Sequence, residues 1–121
     1  MTSTADLYDE QGDALQSLAL QLRDFGGRIA FEGPLRTVRC FQDNQLVKEL
    51  LATDGDGAVL VIDGSGSLGT ALMGDMIAES AVAHGWAGVL IHGAIRDSAA
   101  IGRLPLGVKA LGTNPRKSAK T

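Results

Sequence analysis

Arg96 and Asp97 stand side by side after an apolar run, Ala87 to His92, and the short segment Gly93-Ala-Ile. Adjacent opposite charges are by default a surface ion pair of little worth. At the end of a buried strand, however, sequence neighbours point apart. The guanidinium can then hold an anion through two parallel bonds while the carboxylate faces a hydrated divalent ion, since one carboxylate with waters and substrate oxygens is an ordinary way to hold Mg²⁺. Together the two groups would bind a 2-oxo acid and stabilise an enolate. The stretch expected to face them is AVLVIDGSGSLGTALMGDMI, Ala58 to Ile77, in which an apolar run leads through a glycine-rich turn to the start of a helix. If both runs are parallel strands, their loops open on the edge where α/β sheets bind ligands.

Within that stretch, Gly64-Ser-Gly-Ser-Leu-Gly69 matches the dinucleotide pattern G-x-G-x-x-G literally. Its context does not fit a cofactor loop. The acidic residue expected at the end of the next strand is replaced by His92-Gly93, and Gly74-Asp75 suggests a later helix start than such a loop requires. Two uses of the loop stay open: a run of backbone N–H groups at a helix N-terminus that binds carboxylate or phosphate, with Gly74 letting the backbone approach, or simply a tight turn. Asp63 could orient Ser65 or Ser67 or act near a metal, although an Asp opening a glycine turn is ordinarily a turn former. His84 packs or solvates at a helix end, and His92 has no partner visible in sequence. Gly66 occupies the place where a serine nucleophile would follow Gly64, which argues against a serine hydrolase.

Periodicity and turn signals place the elements. Residues 4–11 form a short helix with Thr4 as cap. Leu15 to Leu22 fits a helical face and a strand equally well. Gly26-Gly27 and Gly33-Pro34 mark turns before a strand from Leu35 to Phe41. Asp43 or Asn44 caps a helix to about Leu51 that buries Leu46, Val47, Leu50 and Leu51. Asp54 to Gly57 is a turn and Ala58 to Ile62 a strand covered on both faces. A helix from about Gly74 to His84 carries Met76, Ile77, Ser80, Ala81 and His84 on one stripe and ends at Gly85. Ala87 to His92 is a strand, Ser98 to about Gly102 a short helix capped by Asp97 or Ser98, and Leu106 to Leu111 another strand. This β-α-β-α-β order over 58–112 implies an α/β fold with a parallel sheet and right-handed crossovers. The N-terminal third reads as an antiparallel or mixed partner layer.

Composition bounds the function. The 121 residues suit a single domain small enough that a site shared between subunits is a natural way to enclose a ligand. A net charge of −3, with its one basic cluster at Arg116, Lys117 and Lys120, argues against direct nucleic-acid binding. The lone Cys40 excludes an internal disulfide and reads as a small buried apolar residue in a reducing cytoplasm. No apolar run reaches membrane-span length, and the N-terminal region carries Asp6, Asp9, Glu10 and Asp13 rather than the basic start of a signal peptide.

Taken together, FGG at 25–27, GP at 33–34 before TVRCFQDN at 37–44, VLVIDGSGSL at 59–68, ALMGDMIAE at 71–79, GWAGVLIHGAIRD at 85–97 and LGVKALGTNPRKS at 106–118 resemble one family over nearly the whole chain. It contains the regulator of ribonuclease E activity A and the 4-hydroxy-4-methyl-2-oxoglutarate aldolases. The resemblance implies a three-layer β/β/α sandwich like the swivelling phosphohistidine domain, assembled as a homotrimer with sites at subunit contacts. It also implies that the family's C-terminal strands lie beyond the region matched here, so that this single domain is C-terminally short. In the aldolases the backbone amides of a G-D-x-x segment, matched by Gly74, Asp75, Met76 and Ile77, bind the pyruvoyl group. The arginine matching Arg96 contacts substrate, the aspartate matching Asp97 ligates Mg²⁺ or Mn²⁺, and the position of Asp75 orients a water in proton transfer. The implied activity is metal-dependent retro-aldol cleavage to pyruvate, with oxaloacetate decarboxylation from the same parts. Some members act instead by binding ribonuclease E. A methyltransferase role finds no support, because the glycine loop lacks the acidic partner of an adenosyl ribose.

Overall fold

The computed structural model describes residues 3–121. Its strands are β1 (Arg23–Asp24), β2 (Leu35–Arg39), β3 (Val59–Asp63), β4 (Ala71–Met73), β5 (Gly88–Ile95) and β6 (Gly107–Thr113), and its helices are α1 (Thr4–Gln11), α2 (Gln45–Leu51), α3 (Asp75–Ala83) and α4 (Ser98–Ile101). They build one six-stranded mixed sheet in the order β1-β6-β5-β3-β2, with β4 paired to β5. The strands β2, β3, β5 and β6 run parallel and are laid down in sequence order. Right-handed crossovers that always advance to the same side put every connecting helix on the same face. Accordingly α2 packs on α3 and α3 on α4.

The core follows from register. Leu60, Val89 and Val108 lie abreast on neighbouring strands, as do Ile62, Ile91 and Ala110, and all are buried. Val47 and Leu51 of α2, Ala78 and Ala81 of α3, and Ile101 of α4 are buried in the same cluster. The intervening row of Val61, Leu90 and Lys109 faces the other way and is only half-buried. Over that face α1 and the segment after it enclose an apolar hollow of about 810 Å³ lined by Leu7, Tyr8, Leu18, Phe31 and Leu90.

The α/β class and the β-α-β-α-β order over 58–112 hold, with several local corrections. Ser3, not Thr4, caps α1 by accepting from Asp6 N. The ambiguous Leu15 to Leu22 segment is neither helix nor strand, because its leucines find no apolar layer to enter. The N-terminal third does not form a separate layer: β2 joins the main sheet in parallel and only β1 is antiparallel, against β6. Leu46 and Met76 are exposed rather than buried, since α2 and α3 turn Val47, Leu51, Ala78 and Ala81 to the sheet instead. The strand read as Ala87 to His92 extends through Ile95. Strand β4 was not expected. It lies on the same flank of β5 as β3, so the chain leaves that lane at Asp63, loops out through 64–70, and re-enters at Ala71.

Candidate active site

Parallel strands place their carboxyl ends at one edge, where the loops after β3, β5 and β6 meet the start of α3. The glycine loop after β3 uses its donors on itself. Gly64 N and Gly66 N both donate to His92 O, Ser67 N to Gly64 O, Ser65 N to Asp63 Oδ1, and Gly69 N to Ser67 Oγ. Nor does it lead into a helix, because β4 intervenes. The anion-cradle reading therefore fails for Gly64–Gly69, which is a turn. Asp63 is the turn former, and its other contacts are Arg39 Nε at 3.3 Å and His92 Nδ1 at 3.8 Å. Those three residues are register partners on β2, β3 and β5, which is why sequence distance hid the partner of His92. The bond from Ser65 N, before the neighbouring charges, keeps the Asp63 carboxyl below its usual range.

Ten residues further along the arrangement is different. Gly74 caps α3 and has no side chain to satisfy the first-turn donors, and the first intrahelical bond runs from Ala78 N to Gly74 O. Met76 N and Ile77 N precede that bond and are available to a ligand. Arg96 N donates to Met73 O, which brings the end of β5 against this helix start. Asp97 then turns back in the left-handed region, at φ 56°, which aspartate tolerates better than most residues. Its Oδ2 accepts from Asp75 N at 3.3 Å and from Arg96 Nε at 3.4 Å. The bond from Asp75 N, ahead of Arg96, lowers the Asp97 pKa, so the group is an anion at neutral pH. A Cβ at position 74 would sit 2.9 Å from Asp97 Oδ2 and 3.3 Å from Arg96 Cγ, so only glycine leaves both side chains where they are.

The side chains of Arg96 and Asp97 are 32% and 36% exposed, accessible yet anchored. They border an open hollow of about 410 Å³ completed by Ser98, Thr113 and Pro115. Arg96 Nη1 donates to Pro115 O at 3.4 Å, a contact from the turn after β6 that sequence reading did not anticipate. Proline at 115 in LGTNPRKS signals that turn; the fact that it reaches Arg96 depends on β5 and β6 being neighbours. The structure brings Gly74, Asp75, Arg96 and Asp97 together, but Arg96 and Asp97 pair with each other instead of pointing apart, because the left-handed turn at Asp97 folds its carboxylate back onto the guanidinium. Met76 is left 79% exposed beside them, and Ile77 packs half-buried against the core.

Among the described residues, no three His, Cys, Asp or Glu side chains gather to hold an ion. Asp97 offers one carboxylate at the open hollow, a donor that fits an ion content with a single protein carboxylate plus water and substrate oxygens, such as Mg²⁺ or Mn²⁺.

A family model described as RraA-like, Aldolase/RraA, matches residues 4–121. The chain belongs to the RraA-like family. Solved structures agree with that assignment. A protein from Geobacillus kaustophilus HTA426 described as an S-adenosylmethionine:2-dimethylmenaquinone methyltransferase is 52% identical, with a TM-score of 0.96 over 98% of this chain and 74% of its own. The RNA-processing inhibitor RraA from Thermus thermophilis is 45% identical, with a TM-score of 0.95 over 99% of this chain and 73% of its own. The more distant Streptomyces coelicolor RraAS2, described as an unusual member of the RNase ES inhibitor RraA family, is 25% identical, with a TM-score of 0.70 over 97% of this chain and 61% of its own. The RraA-like match takes in both the glycine loop and the Arg96-Asp97 corner.

Proposed function

We propose that this RraA-like protein is a divalent-metal-dependent class II aldolase. Its substrates are 4-hydroxy-2-oxo acids of the 4-hydroxy-4-methyl-2-oxoglutarate type, which it cleaves to pyruvate, and it also decarboxylates oxaloacetate. The observation that carries this is the meeting of Asp97, Arg96 and the start of α3 within hydrogen-bond distance. The amides of Gly74, Met76 and Ile77 bind the pyruvoyl carboxylate at the positive end of the helix, and Asp75, whose N–H holds Asp97, completes the substrate-binding segment. Asp97 would hold Mg²⁺ or Mn²⁺, and the bound ion would supply Lewis-acid polarisation of the 2-oxo group. Arg96 keeps its bonds to Asp97 and Pro115 O and donates its remaining N–H groups to the keto oxygen. As the C4 hydroxyl loses its proton, the C3–C4 bond breaks and its electron pair moves to C3 and the keto oxygen, where the guanidinium stabilises the enolate. Asp75 orients the water that exchanges protons with substrate. Loss of carbon dioxide from oxaloacetate produces the same enolate.

We take the protein to be a homotrimer, in which a second copy at this corner would cover the exposed Met76. No described helix is long and apolar enough to cross a membrane. The half-buried Cys40 thiol, its pKa raised by burial and then by Asp43 and Asp63, suits a cytoplasmic protein that needs no disulfide. Purified protein with Mg²⁺ is expected to release pyruvate from oxaloacetate faster than Mg²⁺ alone, and chelation is expected to abolish the difference. Full metal-dependent activity in both Arg96→Ala and Asp97→Ala would overturn the site assignment. A coupled pyruvate assay across several 4-hydroxy-2-oxo acids then identifies the substrate.

The names of the Thermus and Streptomyces relatives support a second reading, a protein-binding regulator that inhibits ribonuclease E. A pull-down against the ribonuclease and its scaffold region tests it, and absence of binding at micromolar concentration counts against it.

A further inference from the structure

We infer that Asn114 is a positioning residue for Arg96. Asn114 follows the end of β6, and both ends of its side-chain amide are engaged. Nδ2 donates to Leu68 O at 2.7 Å, and Oδ1 accepts from Arg116 N at 2.9 Å. The second bond spans Pro115 and closes an Asx turn, a local structure that fixes the backbone between its ends. Proline has no N–H to tie it otherwise, and it restricts the residue before it to extended backbone. The turn is also anchored on both sides: Asn114 N donates to Ile95 O at 3.0 Å and Ala71 N donates to Arg116 O at 2.8 Å. Its apex presents Pro115 O to Arg96 Nη1. Nε of the guanidinium is thus held by Asp97 and Nη1 by a carbonyl that the Asn114 side chain helps to fix. Asn114 also supplies a direct side-chain tie between the glycine loop and this corner, through Leu68 O.

The placement of Arg96 follows from these bonds alone, whereas the consequence for turnover rests on the 2-oxo acid reading above. Both are tested with one pair of variants. Asn114→Ala loses both side-chain bonds, and Asn114→Asp keeps the acceptor for Arg116 N while losing the donor to Leu68 O. In ¹⁵N-labelled protein the Arg96 Nε–H signal, assigned by its disappearance in Arg96→Lys, should be ordered by heteronuclear relaxation in the parent and in Asn114→Asp, and mobile in Asn114→Ala. With oxaloacetate and Mg²⁺, Asn114→Ala should lower kcat about tenfold with KM within about twofold, because Arg96 acts on the enolate, and Asn114→Asp should stay within about threefold of the parent kcat. A defect of folding alone would lower the active fraction but leave the Arg96 Nε–H of the folded molecules as ordered as in the parent. Unchanged Arg96 order in Asn114→Ala, or equal disorder in both variants, overturns the inference. If the parent protein forms no pyruvate, the aldolase reading falls while the relaxation data still decide what Asn114 does.

Discussion

Two glycine-containing turns follow successive strands in one lane of the sheet and have opposite fates. In Gly64–Gly69 the backbone donors of residues 64, 65, 66, 67 and 69 are satisfied within the loop and its own strands. At Gly74 the cap has no side chain for the first turn, where Asp75 N meets Asp97 and the donors of Met76 and Ile77 precede the first intrahelical bond. A glycine turn can bind a ligand only where the surrounding chain leaves N–H groups without partners and places charge nearby. The loop that matches a familiar motif is scaffold, and the single glycine without a motif lies at the candidate site.

The contrast predicts which substitutions damage chemistry and which damage only the fold. The largest effect belongs to the corner. Arg96→Ala and Asp97→Ala should each lower kcat/KM for oxaloacetate by about 10²–10³, measured at saturating Mg²⁺, as expected for removal of a group that stabilises developing charge. Gly74→Ala comes next. Its Cβ would displace the Asp97 carboxylate, and about a tenfold loss of kcat/KM is expected, equivalent to about 1.4 kcal/mol, with an unchanged denaturation midpoint. Gly66→Ala should do the reverse. Gly66 has φ +73°, where a side chain is strained by about 1–2 kcal/mol, so urea unfolding should register the loss while kcat/KM is unchanged. A Gly66→Ala protein that folds normally and loses turnover would break the distinction between the two turns.

The smallest effect is in the acid response. Asp63 and Asp97 both have native pKa values below the ordinary carboxylate value, from bonds to Ser65 N and Asp75 N respectively. Below that ordinary value the unfolded chain binds more protons than the native one, so stability rises with pH there. The contribution is complete above about pH 5 and is lost as pH falls through the depressed native values. Urea midpoints should therefore be flat from neutral pH to about 5 and decline below it, and Asp63→Asn should flatten that decline without altering turnover at pH 7. Loss of turnover in Asp63→Asn would move the glycine loop back into the site.

Much of this molecule was legible from residue order. The unbroken apolar runs Ala58–Ile62 and Ala87–His92, separated by a helix-length segment, already imply parallel strands with a crossover between them. Arg96-Asp97 stands just past the second run, at the carboxyl edge that parallel topology predicts, whereas Gly74-Asp75 reaches it because β4 re-enters the sheet beside β5. Burial on the short helices was harder to see: Met76 and Leu46 have the right spacing for an apolar stripe, and only packing against the sheet selects Ala78, Ala81, Val47 and Leu51 instead. The three-residue strand β4 is too short for any period to register, and it has no strand signal apart from its pairing with β5.

Local chemistry therefore determined most of the elements, their parallel order and the place of the Arg96-Asp97 pair, because periodicity, capping and strand ends act over a few residues. Tertiary structure decided which donors remained free. Whether a backbone N–H meets His92 O, Asp97 Oδ2 or a ligand depends on strands brought together from distant parts of the chain. The same holds for Asn114, whose side chain reaches across the carboxyl edge to Leu68, 46 residues away in sequence.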